Sequence, residues 1–442
     1  MAQTLQAGAA QTDITPLLGA FLTGTFSRRP AEDIDDPLYS KAVVIDNGEA
    51  RVAIVVLDLI AVPRDVVQRI RALVTEHVGI PPEHVMIACT HTHTGPQTRL
   101  GGREPRDEAY IDWLVHRVSD SVRLAVRRLQ PARLAWGEGE QHDISFCRRY
   151  LMKDGTVRTN PGYNSEILRP VSPIDPTVGV LYIEDLQGNP LCVVTRFSLH
   201  YVGTDNSLAV SADYYGHFAN VMRRHLGDKV VPMLLNGTSG QINNINPLAP
   251  PRKTRGHAQA LRVAKALAGE VMKVIYRLEP AQECVLGGAS TMARLPCKNV
   301  TDEDRKIAEQ ILAGSDPRPN EGPFSFVVGQ PIPASMRPHY ARLVRDMPAY
   351  MEGEVQALRI GASGWVGLPG EIFVETGFEI VEASPAAHTF VVGLANDSLG
   401  YIPTDRALTE EGGYETWGRA GVGAAAALRD ASVSLLRELF QP

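Results

Sequence analysis

Two histidines stand two residues apart directly after a short apolar stretch. The stretch is Val85–Ala88, and the segment CTHTHTGP that follows it contains His91 and His93. Along a strand, side chains at i and i+2 point to the same face. We therefore expect both imidazoles to project together at the open end of a sheet. There they could bind a metal ion or move a proton.

Two further strand-like segments end in candidate ligands. Leu191–His200 reads LCVVTRFSLH, and Val366–Glu371 reads VGLPGE. Zinc takes imidazole nitrogen and carboxylate oxygen, and a catalytic zinc keeps one position open for water. Three strand ends that bear His, His and Glu are therefore compatible with a zinc site. The structural alternatives are a hydrogen-bonded histidine pair and, for Glu371, an acidic residue in the first turn of a helix.

The elements that must position these residues follow from hydrophobic periodicity. Apolar residues at three- and four-residue steps predict the helices Arg64–Val78, Asp107–Leu129, Tyr214–Leu226, Gly256–Leu278 and Ala424–Phe440. Short apolar runs predict the strands Ala42–Asp46, Val52–Leu59, Val85–Ala88, Val178–Ile183, Leu191–Leu199, Val230–Leu235, Glu354–Ile360 and Thr389–Leu394. Turn residues at 46–48 and 186–189 predict hairpins. Residues 313–338, rich in Pro, Gly and Ser, predict a long loop. The pattern favours an α/β fold of mixed β-sheets flanked by helices, in a single domain over residues 1–442.

The composition argues against several classes of partner. Hydrophobic residues make up 44% and charged residues 21% of the chain, and the net charge is −6. This balance gives no basic footprint for nucleic acid, and no apolar window approaches the roughly 18 residues of a membrane span. The five cysteines lack C-x-x-C spacing, and the first residues lack the features of a secretory signal. We therefore expect a cytoplasmic protein without an integral membrane span, and the oligomeric state stays open.

Six segments occur in an order that resembles the catalytic domain of the neutral (non-lysosomal) ceramidase family. They are GAAQTDITP, DDPLYSKAVVI, THTHTGP, FSLH, LPGE and GYIPT, and the resemblance spans roughly residues 7–420. It implies a zinc-dependent amide hydrolase that splits N-acyl sphingosine into a fatty acid and a sphingoid base. By motif position it implies four zinc ligands, namely His91, His200, Glu371 and Tyr401. It also implies that His93 is a catalytic partner near the scissile carbonyl.

The resemblance further implies a substrate-contacting arginine in the CRRY stretch. We choose Arg148 for this role, with Arg149 as the alternative. The sequence departs from the family pattern where a catalytic serine is expected, because NGTSGQINNIN places Asn243 at that position. Ser239 lies four residues earlier and fits a turn better than a nucleophile. Asn243 could instead donate its amide N–H to a developing oxyanion.

The missing serine favours attack by water, because zinc lowers the pKa of bound water from 15.7 to about 7. The leading hypothesis is a zinc-dependent hydrolase that cleaves the amide bond of an N-acyl substrate. The alternatives are an esterase or lactonase with the same zinc site, or a non-catalytic metal-binding homologue. The chain ends about twenty residues after the end of the resemblance near residue 420. We therefore expect no C-terminal accessory domain and a small, soluble N-acyl amine, ester or lactone as substrate.

Overall fold

The computed structural model describes residues 5–25, 27–100, 104–250, 253–317 and 323–441. The strands, in chain order, are β1 Gln6–Asp13, β2 Asp33–Ile34, β3 Tyr39–Asp46, β4 Arg51–Leu57, β5 Val85–Cys89, β6 Gln130–Glu140, β7 Phe146–Cys147, β8 Arg149–Met152, β9 Val157–Thr159, β10 Ile167–Pro170, β11 Thr177–Asp185, β12 Pro190–Phe197, β13 Ala209–Val210, β14 Val231–Asn236, β15 Ile242–Asn243, β16 Leu286–Pro296, β17 Tyr350–Ile360, β18 Ser363–Gly367, β19 Glu371–Ile372, β20 His388–Val392 and β21 Tyr401–Ile402. The α-helices are α1 Arg64–Val78, α2 Glu108–Arg127, α3 Asp213–Leu226, α4 His257–Ile275, α5 Asp302–Leu312, α6 Arg337–Arg345, α7 Val374–Ala383 and α8 Ala424–Leu439.

Two mixed sheets carry the fold. The large sheet has the strand order β14-β12-β11-β6-β1-β3-β4-β5, and the small sheet has the order β16-β17-β18-β20. In the large sheet β12–β14 and β4–β5 are parallel, and the other neighbours are antiparallel. The antiparallel pairs β3–β4 and β11–β12 are the hairpins that the turn residues predict. The remaining strands pair in small two- and three-stranded sheets.

Both faces of the large sheet are buried, which is why its strands read as continuous apolar runs. On β3, Val43 and Ile45 pack in one core with Trp365 and Phe390 of the small sheet. The alternate residues Ala42 and Val44 pack in a second core with α1 and α2. Helices α3 and α4 cover the β11–β12–β14 end of the large sheet, and α7 and α8 pack on the small sheet. The layers therefore run helix, sheet, sheet, helix.

A four-residue segment after β20, Gly393–Asn396, joins the two edges of the large sheet at one end. The Gly393 amide donates to the Asn236 carbonyl at the end of β14. The Cys89 amide of β5 donates to the Leu394 carbonyl, and the Asn396 amide donates to the Ile87 carbonyl. We call Gly393–Asn396 the seam segment. It brings the ends of β5 and β14 together with the start of β19.

The predicted fold class, mixed β-sheets flanked by helices, is confirmed. All five predicted helices form, with ends that differ by three residues or fewer, and all eight predicted strands form. Of the predicted loop 313–338, residues 318–322 lie outside the described residues, and α6 already begins at Arg337. Within the described part of the chain, no helix combines the length and apolarity that a bilayer span requires.

Candidate metal centre

Two buried imidazoles face each other at the end of the large sheet. The Nε2 atoms of His91 and His200 lie 3.1 Å apart. His91 Nδ1 is 2.8 Å from the Ile60 carbonyl, and His200 Nδ1 is 3.3 Å from the Ser239 carbonyl. A carbonyl oxygen can only accept, so each Nδ1 carries the hydrogen when the ring is neutral. Both Nε2 lone pairs then point at the same space.

A carboxylate oxygen completes a triangle of electron-rich atoms. Glu371 Oε2 lies 3.4 Å from His91 Nε2 and 3.6 Å from His200 Nε2, and it makes no hydrogen bond of normal geometry with the described residues. Tetrahedral zinc with bonds of 2.0–2.1 Å holds its ligand atoms about 3.3 Å from one another. The triangle has edges close to that length. Three acceptors around one point, with no proton between them, fit a metal cation.

The protonation states suit a cation. Burial lowers the pKa of His200 well below its ordinary value, and neighbouring Arg148 and His91 lower it further. Burial alone would raise the pKa of Glu371, but the net shift is downward because His91, Tyr401 and Arg148 favour the carboxylate. Metal ligands must be neutral imidazole and ionised carboxylate. The surroundings of His200 and Glu371 shift their pKa values towards those forms.

The loop after β5 places His91 by an unusual backbone conformation. The strand ends at Cys89, and His91 has φ of 79°, in the left-handed region that few residues other than glycine adopt. The His91 amide donates to the Leu59 carbonyl, and the hydroxyls of Thr92 and Thr94 both donate to the Ser211 carbonyl. The prediction that a continuing strand aligns His91 with His93 is therefore wrong, because the strand ends at Cys89. A tethered turn brings the two rings together.

Glu371 reaches the same point from a separate two-stranded sheet. It begins β19, which pairs with β21 so that Glu371 lies opposite Tyr401. Its amide donates to the Gly400 carbonyl. Gly240 packs directly against this strand, since a Cβ at Gly240 would lie 2.7 Å from the Glu371 carbonyl oxygen. A larger residue at position 240 would push the carboxylate away from the histidines.

His93 is the third member of the histidine group. One ring nitrogen from each of His91, His93 and His200 lies within 4.8 Å of the others, a group that could hold a metal ion. The His93 ring stacks on Tyr201 at 3.7 Å, and neither nitrogen makes a hydrogen bond of normal geometry with the described residues. Burial, together with His91 and Arg29, lowers the pKa of His93 well below its ordinary value. His93 is therefore a neutral, unengaged imidazole beside the triangle.

Of the two candidate arginines, Arg148 faces the histidines. One terminal nitrogen lies 3.5 Å from His200 Nε2, and the other donates to the Tyr401 hydroxyl at 3.0 Å and to the Gly240 carbonyl. Arg149 turns to the opposite side, where it contacts Glu411 and the Gly412 carbonyl. Successive side chains in an extended segment point to opposite sides, so Arg148 and Arg149 have different partners.

Tyr401 lies next to Arg148, together with a second tyrosine, Tyr414, that no motif of the sequence indicates. The Tyr401 and Tyr414 hydroxyls are 2.6 Å apart, and the Arg148 guanidinium lies over both rings. Burial raises the pKa of Tyr401 well above its ordinary value, and Glu371 adds to the rise while Arg148 opposes it. Tyr414 and the adjacent Glu415 lie in a single 3-10 turn, Tyr414–Thr416, in a stretch of sequence without periodicity. Only their nearness to the GYIPT segment could have pointed to them.

The side-chain hydrogen bonds of Asn243 are to Asn160 and Ile245, and none is to the histidines among the described residues. Its amide nitrogen donates to Asn160 Oδ1 at 2.6 Å, and its own oxygen accepts from the Ile245 amide. Ser239 is closer to the centre, but its contact with His200 is through the backbone carbonyl. The structure therefore brings together His91, His93, His200, Glu371, Arg148 and Tyr401, and it does not bring Asn243 into contact with them.

Comparisons with known proteins identify the family and the fold. A family model described as neutral/alkaline non-lysosomal ceramidase, N-terminal, matches residues 5–236, more than half of the chain. The neutral ceramidase of Pseudomonas aeruginosa is 30% identical over 158 residues, which are 33% of this chain and 21% of that protein. Neutral ceramidase A of Dictyostelium discoideum is 24% identical over 155 residues, 32% of this chain and 20% of that protein. The matched segments thus cover about one fifth of each curated relative.

The fold likeness extends much further than the sequence likeness. A crystal structure of the neutral ceramidase from Pseudomonas aeruginosa superposes with a TM-score of 0.74 at 20% identity, over 99% of this chain and 75% of that chain. A structure of a ceramidase complexed with C2 gives the same TM-score and coverage at 19% identity. These likenesses show the shared fold. On the family match, which includes His91, His93 and His200, the chain belongs to the neutral/alkaline non-lysosomal ceramidase family.

Proposed function

We propose that the protein is a zinc-dependent hydrolase that cleaves the amide bond of an N-acyl substrate by attack of water. The observation that carries the proposal is the triangle of acceptor atoms formed by His91 Nε2, His200 Nε2 and Glu371 Oε2. The name neutral ceramidase, which both curated relatives bear, supports an amide as the bond. The family match over residues 5–236 supports a hydrolase.

The proposed zinc ligands are His91, His200 and Glu371, with Tyr401 as the fourth. The orphaned Glu371 oxygen and the two opposed lone pairs fit this donor set. Bound zinc supplies a Lewis acid for the carbonyl and lowers the pKa of water to about 7. The carbonyls of Ile60 and Ser239 fix the two imidazoles in the tautomer that leaves Nε2 free.

His93 and Arg148 complete the proposed machinery. His93 has two unengaged nitrogens, so it can take a proton from the attacking water and return one to the departing amine. Its depressed pKa keeps the ring neutral at the start of the reaction. Arg148 lies between His200 and Tyr401, where its guanidinium orients the carbonyl oxygen and stabilises developing negative charge.

A substrate panel tests this proposal. Zinc-loaded protein is assayed against an N-acyl amine, its oxygen ester and a lactone of matched size, before and after chelation and after zinc is restored. We expect amide hydrolysis that chelation abolishes and zinc restores. Turnover of only the ester or lactone would assign the same centre to an esterase or lactonase. Stoichiometric zinc without turnover of any compound would indicate a non-catalytic homologue.

A further inference from the structure

Arg29 is a buried arginine whose hydrogen bonds go to backbone carbonyls. Its terminal nitrogens donate to the carbonyls of Thr23 at 2.5 Å, His93 at 2.8 Å and Ser207 at 3.0 Å. Among the described residues, no Asp or Glu forms an ion pair with it. Burial of a charge without a partner of opposite sign costs free energy. Fold stability alone therefore does not account for an arginine at this position.

The His93 ring is held by packing. Neither ring nitrogen makes a hydrogen bond of normal geometry with the described residues. The Tyr201 ring stacks on it at 3.7 Å. Gly24 also packs against it, because a Cβ at Gly24 would lie 2.4 Å from His93 Cγ. The direction of the two ring nitrogens therefore depends on the positions of the His93 backbone and of Gly24.

One nitrogen of Arg29 fixes both of these positions. Arg29 Nη2 donates to the His93 carbonyl and to the Thr23 carbonyl, directly before Gly24. The Thr23 amide in turn donates to the Gly95 carbonyl, two residues after His93. Gly24 has φ of 100°, a conformation that glycine adopts without strain and larger residues do not. Arg29 therefore holds the Thr23–Gly24 segment and the His93 turn against each other.

We propose that Arg29 is a positioning residue that sets the direction of the His93 ring for proton transfer. The proposal rests on the proposed amide hydrolysis, in which His93 takes a proton from the attacking water. Among the described residues, the hydrogen bonds of Arg29 include none to a proposed zinc ligand. Loss of Arg29 should therefore slow the chemical step and leave metal binding intact. A displacement of about 1 Å at a reacting group can cost about 10²-fold in rate.

The test compares three variants with the native protein, all loaded with zinc, on one N-acyl amine. Arg29→Ala should lower kcat about 10- to 100-fold, with KM within about twofold of native and zinc content unchanged. Arg29→Lys should recover part of the loss, because an ammonium group can still donate to the His93 carbonyl. Gly24→Ala should also lower kcat, because its Cβ displaces the His93 ring while the guanidinium remains. It carries the test if Arg29→Ala does not fold.

A double-mutant cycle distinguishes positioning of His93 from a general structural role. If Arg29 acts through His93, Arg29→Ala should change kcat less than about twofold when His93 is already alanine. Arg359→Ala is the matched control, because Arg359 also donates to backbone carbonyls, those of Gly361 and Leu439, in another part of the fold. It should lower the melting temperature and leave kcat unchanged.

Three results would overturn the positioning role while the hydrolase stands. The first is native kcat in both Arg29→Ala and Gly24→Ala. The second is a loss of zinc in step with activity. The third is a loss from Arg29→Ala that is equally large with and without His93. Absence of amide hydrolysis by the native zinc-loaded protein would overturn the proposed function, and the role of Arg29 with it.

Discussion

Glu415 holds Arg148 in place through a buried ion pair, in which Glu415 Oε1 accepts from Arg148 Nε at 2.8 Å. The carboxylate is fully buried, and its second oxygen accepts from the Thr159 hydroxyl and lies 3.7 Å from Arg149 Nε. Because the bond to Glu415 uses Nε, both terminal nitrogens of Arg148 remain directed at His200 and Tyr401. Glu415 is therefore a positioning residue for Arg148.

Glu415→Gln is expected to lower kcat about 10- to 100-fold, because a charge-assisted hydrogen bond of about 1.5–3 kcal/mol is weakened at Arg148. Glu411→Gln is the matched control, since it weakens a buried contact of Arg149 but none of Arg148. Steady-state kinetics and melting temperatures of both variants are compared. Equal losses of activity in both would show that Glu415 has a general structural role.

Removal of a proposed ligand should remove the metal. His91→Ala and Glu371→Ala should each lose most of the expected single zinc per chain, because each takes away one corner of the triangle. His217→Ala is the control, since His217 pairs with His257 in another part of the fold. Elemental analysis of the purified proteins gives the answer. Full zinc content in the first two variants would refute the assigned ligands.

His93→Ala separates a catalytic role from a ligand role. If His93 transfers protons, kcat should fall about 10²- to 10⁴-fold while zinc content stays near that of the native protein. If His93 instead binds the metal with His91 and His200, zinc content should fall together with activity. Metal analysis and kinetics on the same preparation distinguish the two results.

Asn243→Ala should lower kcat less than about tenfold, because the side-chain amide is engaged by Asn160. An oxyanion donor would cost about 10²- to 10³-fold, so a loss of that size would support the role that the sequence suggested. Ser239→Ala should retain most activity, because its contact with His200 is through the backbone. An acyl adduct on Ser239, trapped by mass spectrometry, would contradict attack by water.

Lys298 makes stability depend on pH. Burial lowers its pKa to about 7, whereas an unfolded lysine titrates near 10.4. Between these values only the unfolded chain binds the proton, so the free energy of unfolding should rise with pH by up to about 1.4 kcal/mol per unit. Lys298→Met should flatten that slope. Urea unfolding at pH 7, 8 and 9 measures it, with Lys253→Met, at a largely exposed lysine, as the control. Parallel curves for the native protein and Lys298→Met would contradict the prediction.

Strand-end histidines and a Pro-Gly-Glu turn were enough to predict that the side chains of His91, His200 and Glu371 would lie close together. The conformation of His91 could not be predicted, because a φ of 79° depends on the tethers from Leu59 and Ser211. The choice between Arg148 and Arg149 likewise depends on contacts more than 250 residues away in the chain. Local pattern predicts elements, whereas the position of a side chain within a loop depends on its distant partners.

Strand β6 is not among the strands that the sequence predicts, and the reason is again a contact with distant residues. Strand β6 contains GEGE, a poor strand sequence by propensity. A Cβ at Gly139 would lie 2.2 Å from Glu270 Oε1, and one at Gly137 would lie 2.7 Å from Leu278 Cδ2. The glycines are present because α4 and the residues after it pack closely on the sheet. Because close packing requires glycine at these positions, residue propensity does not identify β6 as a strand.

The seam segment also bears on self-association. Strands β5 and β14 are the edges of an eight-stranded sheet, and open edges are templates for pairing with other chains. Gly393–Asn396 occupies part of both edges at once. A Cβ at Gly393 would lie 2.9 Å from the Gly237 carbonyl oxygen, so a larger residue would displace the segment. One substitution would thus uncover two aggregation-prone edges together.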